Sequence, residues 1–359
     1  MSTREGADGP SAPSAHDAHR APGALPEPLV PDPLTGPSLR WGILGSGWIA
    51  ARFVEALQAS TNQRVVAVGS RTLARAEEFA RDHGIAEAHG SYEALVAADI
   101  DVVYVATGHL DHLAHATLAL EAGRPVLVEK PMTPRLADTQ RLVELARARG
   151  LFAMEAVWTL ALPRTCVVRQ VLASGMLGEI VEVQATIGER LVDHHRAMDP
   201  AQGGGAMNDL GTYPLMFVSE VLPDLRVEAV VGHRHPEHGA IGQFHALLGD
   251  GAGRQATVSA SMLADTPTTA FIAGTEATLT LDAPFYHPGP VTVRFHDGRE
   301  LRYTEPALGH TQLFWEALEV ARCIDAGLTE SPLRPLDRTL ETIALMERSR
   351  ELMRDPLAG

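Results

Sequence analysis

The stretch Arg40–Arg71, RWGILGSGWIAARFVEALQASTNQRVVAVGSR, constrains this chain more than any other. Trp41–Leu44 is a short apolar run. Gly45-Ser46-Gly47-Trp48-Ile49-Ala50 follows it in the pattern G-x-G-x-x-G/A. From Trp48 to Ser60 the apolar residues take helical spacing, with Ile49, Phe53, Ala56 and Leu57 on one face. Gln63–Gly69 reads as a second buried strand. In a strand–turn–helix–strand unit of this kind, Gly45 permits the tight turn, Gly47 lets backbone approach a pyrophosphate and Ala50 lets the helix pack close. The helix start at Trp48 and Ile49 offers unpaired N–H groups and the positive end of a dipole to phosphates. A dinucleotide site is predicted there.

The end of the second strand selects the dinucleotide. An Asp or Glu at that point accepts hydrogen bonds from a ribose 2′-hydroxyl, whereas this chain carries Ser70-Arg71, with Arg75 one turn later. A hydroxyl and a guanidinium bind a 2′-phosphate through charge-assisted hydrogen bonds. NADP is therefore expected in preference to NAD.

Further apolar strands, Asp101–Thr107, Pro125–Glu129 and Leu151–Glu155, alternate with helical segments of ordinary length. That alternation predicts βαβ units and a doubly wound parallel sheet over residues 39–160. Ligands of such sheets bind beyond the carboxyl ends of the strands. Thr107, His109, Glu129, Lys130 and Pro131 all fall there. After Pro163 the pattern changes to short alternating segments separated by Gly, Pro and Asp. Residues 161–359 are expected to form an α+β substrate and dimerisation domain with an open, mostly antiparallel sheet, its last helices packing back on the first domain. Residues 1–38, rich in Pro, Ala, Gly, Ser and His, cannot bury enough apolar surface to offset chain entropy and are expected to be a disordered extension.

The net charge of −15 argues against a nucleic-acid partner, which needs a basic footprint. No apolar run is long enough to span a bilayer. The two cysteines, Cys166 and Cys323, stand apart in no motif, which implies a reducing compartment and a cytoplasmic protein. His109, His112 and His115 lack a carboxylate or cysteine to complete a metal site, so no metal is expected.

Two motifs carry chemistry. Glu129-Lys130-Pro131 puts a lysine at the carboxyl end of a parallel strand, before a proline whose peptide bond has a reduced trans preference. In Gly203-Gly-Gly-Ala-Met-Asn-Asp209-Leu-Gly-Thr-Tyr213-Pro, a glycine run enters a helix whose spacing puts Asp209 and Tyr213 on one face. A phenol serves as a proton donor if a nearby cation lowers its pKa, and a lysine can do that. Trp158 offers an apolar wall to a ring.

GSGWIA, VLVEKP, MEAVWT and GGGAMNDLGTYP together resemble the Gfo/Idh/MocA oxidoreductases over about Leu39–Met353. The similarity is greatest to the branch holding dimeric dihydrodiol dehydrogenases and NADP-dependent D-xylose dehydrogenases. The resemblance implies an N-terminal Rossmann domain and an open-faced second domain whose sheet forms a homodimer or higher homo-oligomer. It implies hydride transfer between NADP and a small polyol, a sugar or cyclic vicinal diol. Lys130 and Tyr213 match the catalytic lysine and tyrosine, Asp209 the acidic residue beside them, and Ser70 and Arg71 the 2′-phosphate contacts. Lys130, Tyr213 and Trp158 are implied substrate contacts, and His112 matches a histidine bordering the cofactor. Gly108 and Leu160 depart from the branch, where proline and arginine are common. A non-catalytic NADP sensor and an NAD-dependent inositol-type dehydrogenase are the alternatives.

Overall fold

The computed structural model describes residues 23–355; residues 1–22, the larger part of the expected disordered extension, lie outside the described residues. Residues 23–38 form neither helix nor strand; they are mostly exposed or half-exposed and touch the rest of the chain at a few points. Leu25 is buried, the Glu27 carbonyl accepts from Gln170 Nε2 at 3.0 Å, and Leu29 N–H donates to Cys166 Sγ at 3.3 Å. Leu25 alone is buried, whereas Leu29 and Leu34 are 82% and 66% exposed.

The first sheet contains β1 (Arg40–Leu44), β2 (Arg64–Gly69), β3 (Glu87–His89), β4 (Val102–Val105), β5 (Val126–Glu129) and β6 (Ala153–Ala156). Its order is β3-β2-β1-β4-β5-β6, and every pairing is parallel. All residues of β4, β5 and β6 are buried, as a sheet covered on both faces requires. Successive residues serve opposite faces: Ile43 joins Phe53 and Leu57 in one core, while Leu44 joins Val103, Val105 and Val128 in the other. The covering helices are α1 (Trp48–Ser60), α2 (Leu73–His83), α3 (Tyr92–Val96), α4 (His112–Glu121) and α5 (Leu136–Arg149). Strand order reverses between β1 and β4, so a crevice opens at the carboxyl ends beside α1.

The second sheet has the order β14-β13-β12-β11-β7-β10-β9-β8. Its strands are β7 (Ile180–Gly188), β8 (Arg226–Arg234), β9 (Ile241–Gly249), β10 (Gln255–Ser261), β11 (Ala270–Gly274), β12 (Ala277–Leu281), β13 (Val291–Phe295) and β14 (Glu300–Tyr303). Only the β7–β10 pairing is parallel. Val183, Ala185 and Ile187 of β7 are buried under α7 (Thr212–Val221), while Gln184 and Thr186 between them face outward, half-exposed. The short strands β3 and β14 were not expected; both are polar and only partly buried, so they carry little hydrophobic signal.

The chain passes between domains through α6 (Pro163–Ser174) and returns through α8 (Phe314–Asp325) and α9 (Leu336–Met353). α8 packs on α1 and on the turn Trp158–Ala161; α9 touches α5, α7, β6 and β8. The C-terminal helices thus bind the two sheets together, with the site at their seam. Among the described residues no helix is long and apolar enough to cross a membrane.

Candidate active site

Gly45 turns the chain out of β1 with φ +112°, a conformation L side chains rarely adopt. A Cβ there would stand 2.5 Å from the Ala106 carbonyl oxygen. Gly47 is different: its φ is −92°, and an added Cβ would meet no protein atom within 4 Å. Gly47 caps α1 with no side-chain hydrogen bond, and no acidic residue occupies the first turn. The leading N–H groups at Trp48 and Ile49 therefore face an open surface with no competing anion. These features fit a dinucleotide pyrophosphate. Ser70 is buried with its hydroxyl 3.2 Å from that of Ser46, while Arg71 next to it is exposed, with Tyr92 and His115 in its electrostatic reach.

The loops after β4 and β5 form the opposite bank. Thr107 Oγ1 is 2.9 Å from His115 Nδ1. His109 Nδ1 lies 3.2 Å from the Gly203 carbonyl of the second domain, and burial with the nearby Lys130 charge pulls this imidazole down to about 3. His112, expected as a cofactor contact, is fully buried, its ring nitrogens 3.0 Å from the Pro131 carbonyl and 3.3 Å from that of Thr107. It ties the two loops together. Glu129, also expected at the cofactor, accepts from the Tyr104 hydroxyl and, at 3.2 Å, from the Lys130 N–H. Burial raises its carboxyl above the ordinary range.

Lys130 follows β5, half-buried, and its bond to Pro131 is cis. Its ammonium donates to the main-chain oxygen of Asp209 at 2.5 Å and lies 5.1 Å from the centroid of the Tyr213 ring. The two motifs therefore meet. Their geometry differs from the expected regular helix, because Met207–Gly211 is a π-helical turn leading into α7. The wider turn presents the Asp209 carbonyl to the lysine, and the Asp209 carboxylate accepts from the Gly205 N–H at 3.2 Å. Burial lifts that carboxyl to about 6, against the pull of Lys130.

The expected lowering of the phenol pKa is not what the site produces. Burial first, then the neighbouring Glu129 carboxyl, hold Tyr213 well above its ordinary range, opposed by a hydrogen bond from the Trp158 side chain. The physical reason is placement: the ammonium sits over the ring face, a cation–π position, and spends a proton on Asp209. Tyr213 is thereby kept as a neutral phenol.

Sequence reasoning missed the wall around this group. Tyr213 stacks on Tyr286 at 4.4 Å, and Tyr286 donates to Glu189. Trp158 stacks on His310 at 5.4 Å and meets His287 edge-on at 5.1 Å, and His310 also touches Trp48. Burial lowers the pKa of both His287 and His310, so these rings are neutral at pH 7. The signal was the aromatic run Phe285-Tyr286-His287 in a proline- and glycine-rich loop, which turn residues alone would not explain. Leu160 is buried beside Val157, Met216 and Tyr213, so this departure serves packing. His194, His195 and Arg196 are exposed, though the Arg196 guanidinium lies near Gly108. Among the described residues no cluster of three His, Cys, Asp or Glu side chains could hold a metal ion.

Residues 39–156 match the model of an oxidoreductase family with an NAD-binding Rossmann fold, and residues 167–280 match the GFO/IDH/MocA C-terminal domain. The chain is 38% identical over 313 residues to trans-1,2-dihydrobenzene-1,2-diol dehydrogenase of Bos taurus, covering 83% of this chain and 92% of that one. The Homo sapiens protein of the same name is 35% identical, with 88% and 96% covered. Among solved structures, KijD10, a 3-ketoreductase from Actinomadura kijaniata in complex with NADP and TDP-benzene, superposes with a TM-score of 0.77 at 28% identity, covering 88% and 97%. Levoglucosan dehydrogenase, at 17% identity and a TM-score of 0.78 with 88% and 97% covered, shares the fold.

Proposed function

The chain belongs to the GFO/IDH/MocA family of oxidoreductases, and from that premise we propose that it transfers hydride between NADP and a sugar or cyclic vicinal diol. The observation that carries this reading is the meeting of Lys130 and Tyr213 across the domain seam, at the carboxyl ends of the first sheet. The relatives named for dihydrodiol dehydrogenation and the NADP-bound sugar ketoreductase support the substrate and cofactor classes.

Gly45, Gly47, Trp48 and Ile49 would hold the pyrophosphate, and Ser70 and Arg71 the 2′-phosphate. Thr107, His109 and Pro131 would shape the nicotinamide end. When bound, the dinucleotide supplies a hydride acceptor or donor at its nicotinamide ring. The chain supplies the proton and the orientation. Tyr213, kept neutral by burial, donates its hydroxyl proton to the substrate carbonyl oxygen in reduction and takes it back in oxidation. The Lys130 ammonium stabilises negative charge on that oxygen. Asp209 anchors the lysine through its carbonyl. Trp158, backed by His310, gives the carbon face of a ring an apolar wall.

The test is NADP reduction over a panel of sugars and cyclic diols. Lys130→Ala and Tyr213→Phe should each reduce turnover by about 10²–10⁴-fold, the usual worth of a positioned acid or base. Parental turnover in both variants would remove this mechanism. NADP binding without turnover on any panel member would favour a dinucleotide sensor.

A further inference from the structure

Two buried arginines of the C-terminal segment each join the Lys130 loop to the element that carries Tyr213. Arg350, on α9, is fully buried. Its Nη1 donates to the Pro134 carbonyl at 2.6 Å, in the loop that begins with Lys130. Its Nη2 donates to Oδ1 of Asn208, the residue before Asp209. Asn208 in turn donates to the Gly203 carbonyl at 2.8 Å, the oxygen that faces His109. Arg334, just before α9, is also buried. It donates to Glu155 at 2.8 Å and to Glu220, near the end of α7, at 3.0 Å. The same Glu155 carboxylate accepts the Met132 N–H at 2.9 Å. Arg350 therefore grips the entry to the Asp209–Tyr213 segment and the Pro134 carbonyl, while Arg334 grips the far end of α7 and, through Glu155, the Met132 N–H.

Burying a guanidinium is costly, and well-packed apolar side chains often serve stability as well or better. Arg350 donates to a carbonyl and an amide, with the Asp355 and Glu347 carboxylates in electrostatic reach and its Nε buried and unbonded. Stability alone does not explain why both arms end on the two halves of the site. A planar fork of fixed donors is suited to something else: holding two acceptors at a set separation. The acceptors here belong to the two halves of the candidate site.

We propose that Arg350 and Arg334 are positioning residues that set the approach of Tyr213 to Lys130. The proposal rests on the functional reading above, which gives those two side chains the chemistry. Misplacement of reacting groups by about 1 Å can cost about 10²-fold in rate.

Arg350→Met, Arg334→Met and the one-armed Asn208→Ala would be made in the parental and Lys130→Ala backgrounds. Three quantities would be read: kcat, NADP affinity by fluorescence titration, and amide hydrogen exchange of peptides spanning 130–135 and 205–213. In the parental background kcat should fall by about 10–100-fold. NADP affinity should fall by less than kcat does, because the pyrophosphate and 2′-phosphate contacts lie elsewhere and only Pro131 and His109 adjoin the loosened segments. Exchange should quicken in those two peptides while the strands of the first sheet keep their protection. In the Lys130→Ala background the arginine variants should cost less than about threefold more, since groups acting as a unit are not additive. Unchanged kcat and exchange would overturn the proposal. So would exchange that rises evenly over both sheets, or an equal fold-loss in the Lys130→Ala background. If Arg350→Met does not fold, Asn208→Ala must give the same pattern at smaller size. A Lys130→Ala enzyme with parental kcat would instead overturn the functional reading, while the exchange pattern would still judge the clamp by itself.

Discussion

At the scale of single residues, charge placement decides what the site can do. Asp209 shows it through pH. Its carboxyl, near 3.8 in an unfolded chain, is lifted to about 6 by burial. The folded state thus binds this proton more tightly than the unfolded state. Its contribution favours folding below about pH 4 and is lost as pH rises to about 6. Asp209→Asn removes that loss while an amide oxygen can still accept from Gly205. Relative to the parent, the variant should gain up to about 2–3 kcal/mol between pH 4 and pH 7.5, the worth of about two pH units. Denaturant melts at the two pH values measure it, and a variant whose relative stability does not rise would show the carboxylate to be well accommodated. Arg71 is tested by selectivity. A charge-assisted hydrogen bond to phosphate is worth about 1.5–3 kcal/mol. Arg71→Ala should therefore weaken NADP by about 10–100-fold and leave NAD unchanged. Equal affinities before and after would return the assignment to NAD. The identities of Lys130, Asp209 and Tyr213 were legible from their motifs. The state of the phenol was not, because it depends on which face of the ring the ammonium meets.

At the scale of elements, the two glycines before α1 separate folding from binding. Gly45→Ala forces a side chain into φ +112° and against the Ala106 carbonyl. It should cost at least about 1–3 kcal/mol of stability. Gly47→Ala meets no protein atom within 4 Å. Its melting temperature should match the parent, yet dinucleotide affinity should fall because the added methyl stands where the pyrophosphate approaches. Paired melting curves and NADP titrations check both, and full affinity in Gly47→Ala would place the phosphates elsewhere. The strand–turn–helix unit was readable because its rules are local. The π-helical turn at Met207–Gly211 was not: no local pattern distinguishes it from an ordinary helix, and a Cβ on Gly211 would stand 2.9 Å from the Phe244 ring, a contact made across the fold.

At the scale of the whole molecule, the site exists only because the chain returns. α8 packs on α1 and the Trp158–Ala161 turn, while α9 touches α5 and β6 of the first layer and α7 and β8 of the second, all far apart in sequence. Periodicity gave both sheets and the position of the change between them. It could not give Tyr286, His287 and His310, which reach the site from loops whose paths are fixed by tertiary contacts. The outer face of the second sheet bears Gln184, Thr257, Ser259, His245 and the largely exposed Val231, on strands that are paired across the sheet. The homodimer expected from the family resemblance would pair through this face. Light scattering should give twice the 38.5 kDa chain mass, and Val231→Glu should shift it towards one. A parent that stays at one chain mass at micromolar concentration would refute the assignment.

The central claim is that an ammonium from one domain and a phenol from the other act as a single unit on the reacting oxygen. Single-turnover hydride transfer in Lys130→Ala, Tyr213→Phe and the double variant measures it directly. The account predicts that each single variant loses about 10²–10⁴-fold and that the double variant is less than about tenfold worse than the poorer single, as expected for groups that work together. Losses that multiply in full, or a single variant as fast as the parent, would contradict it.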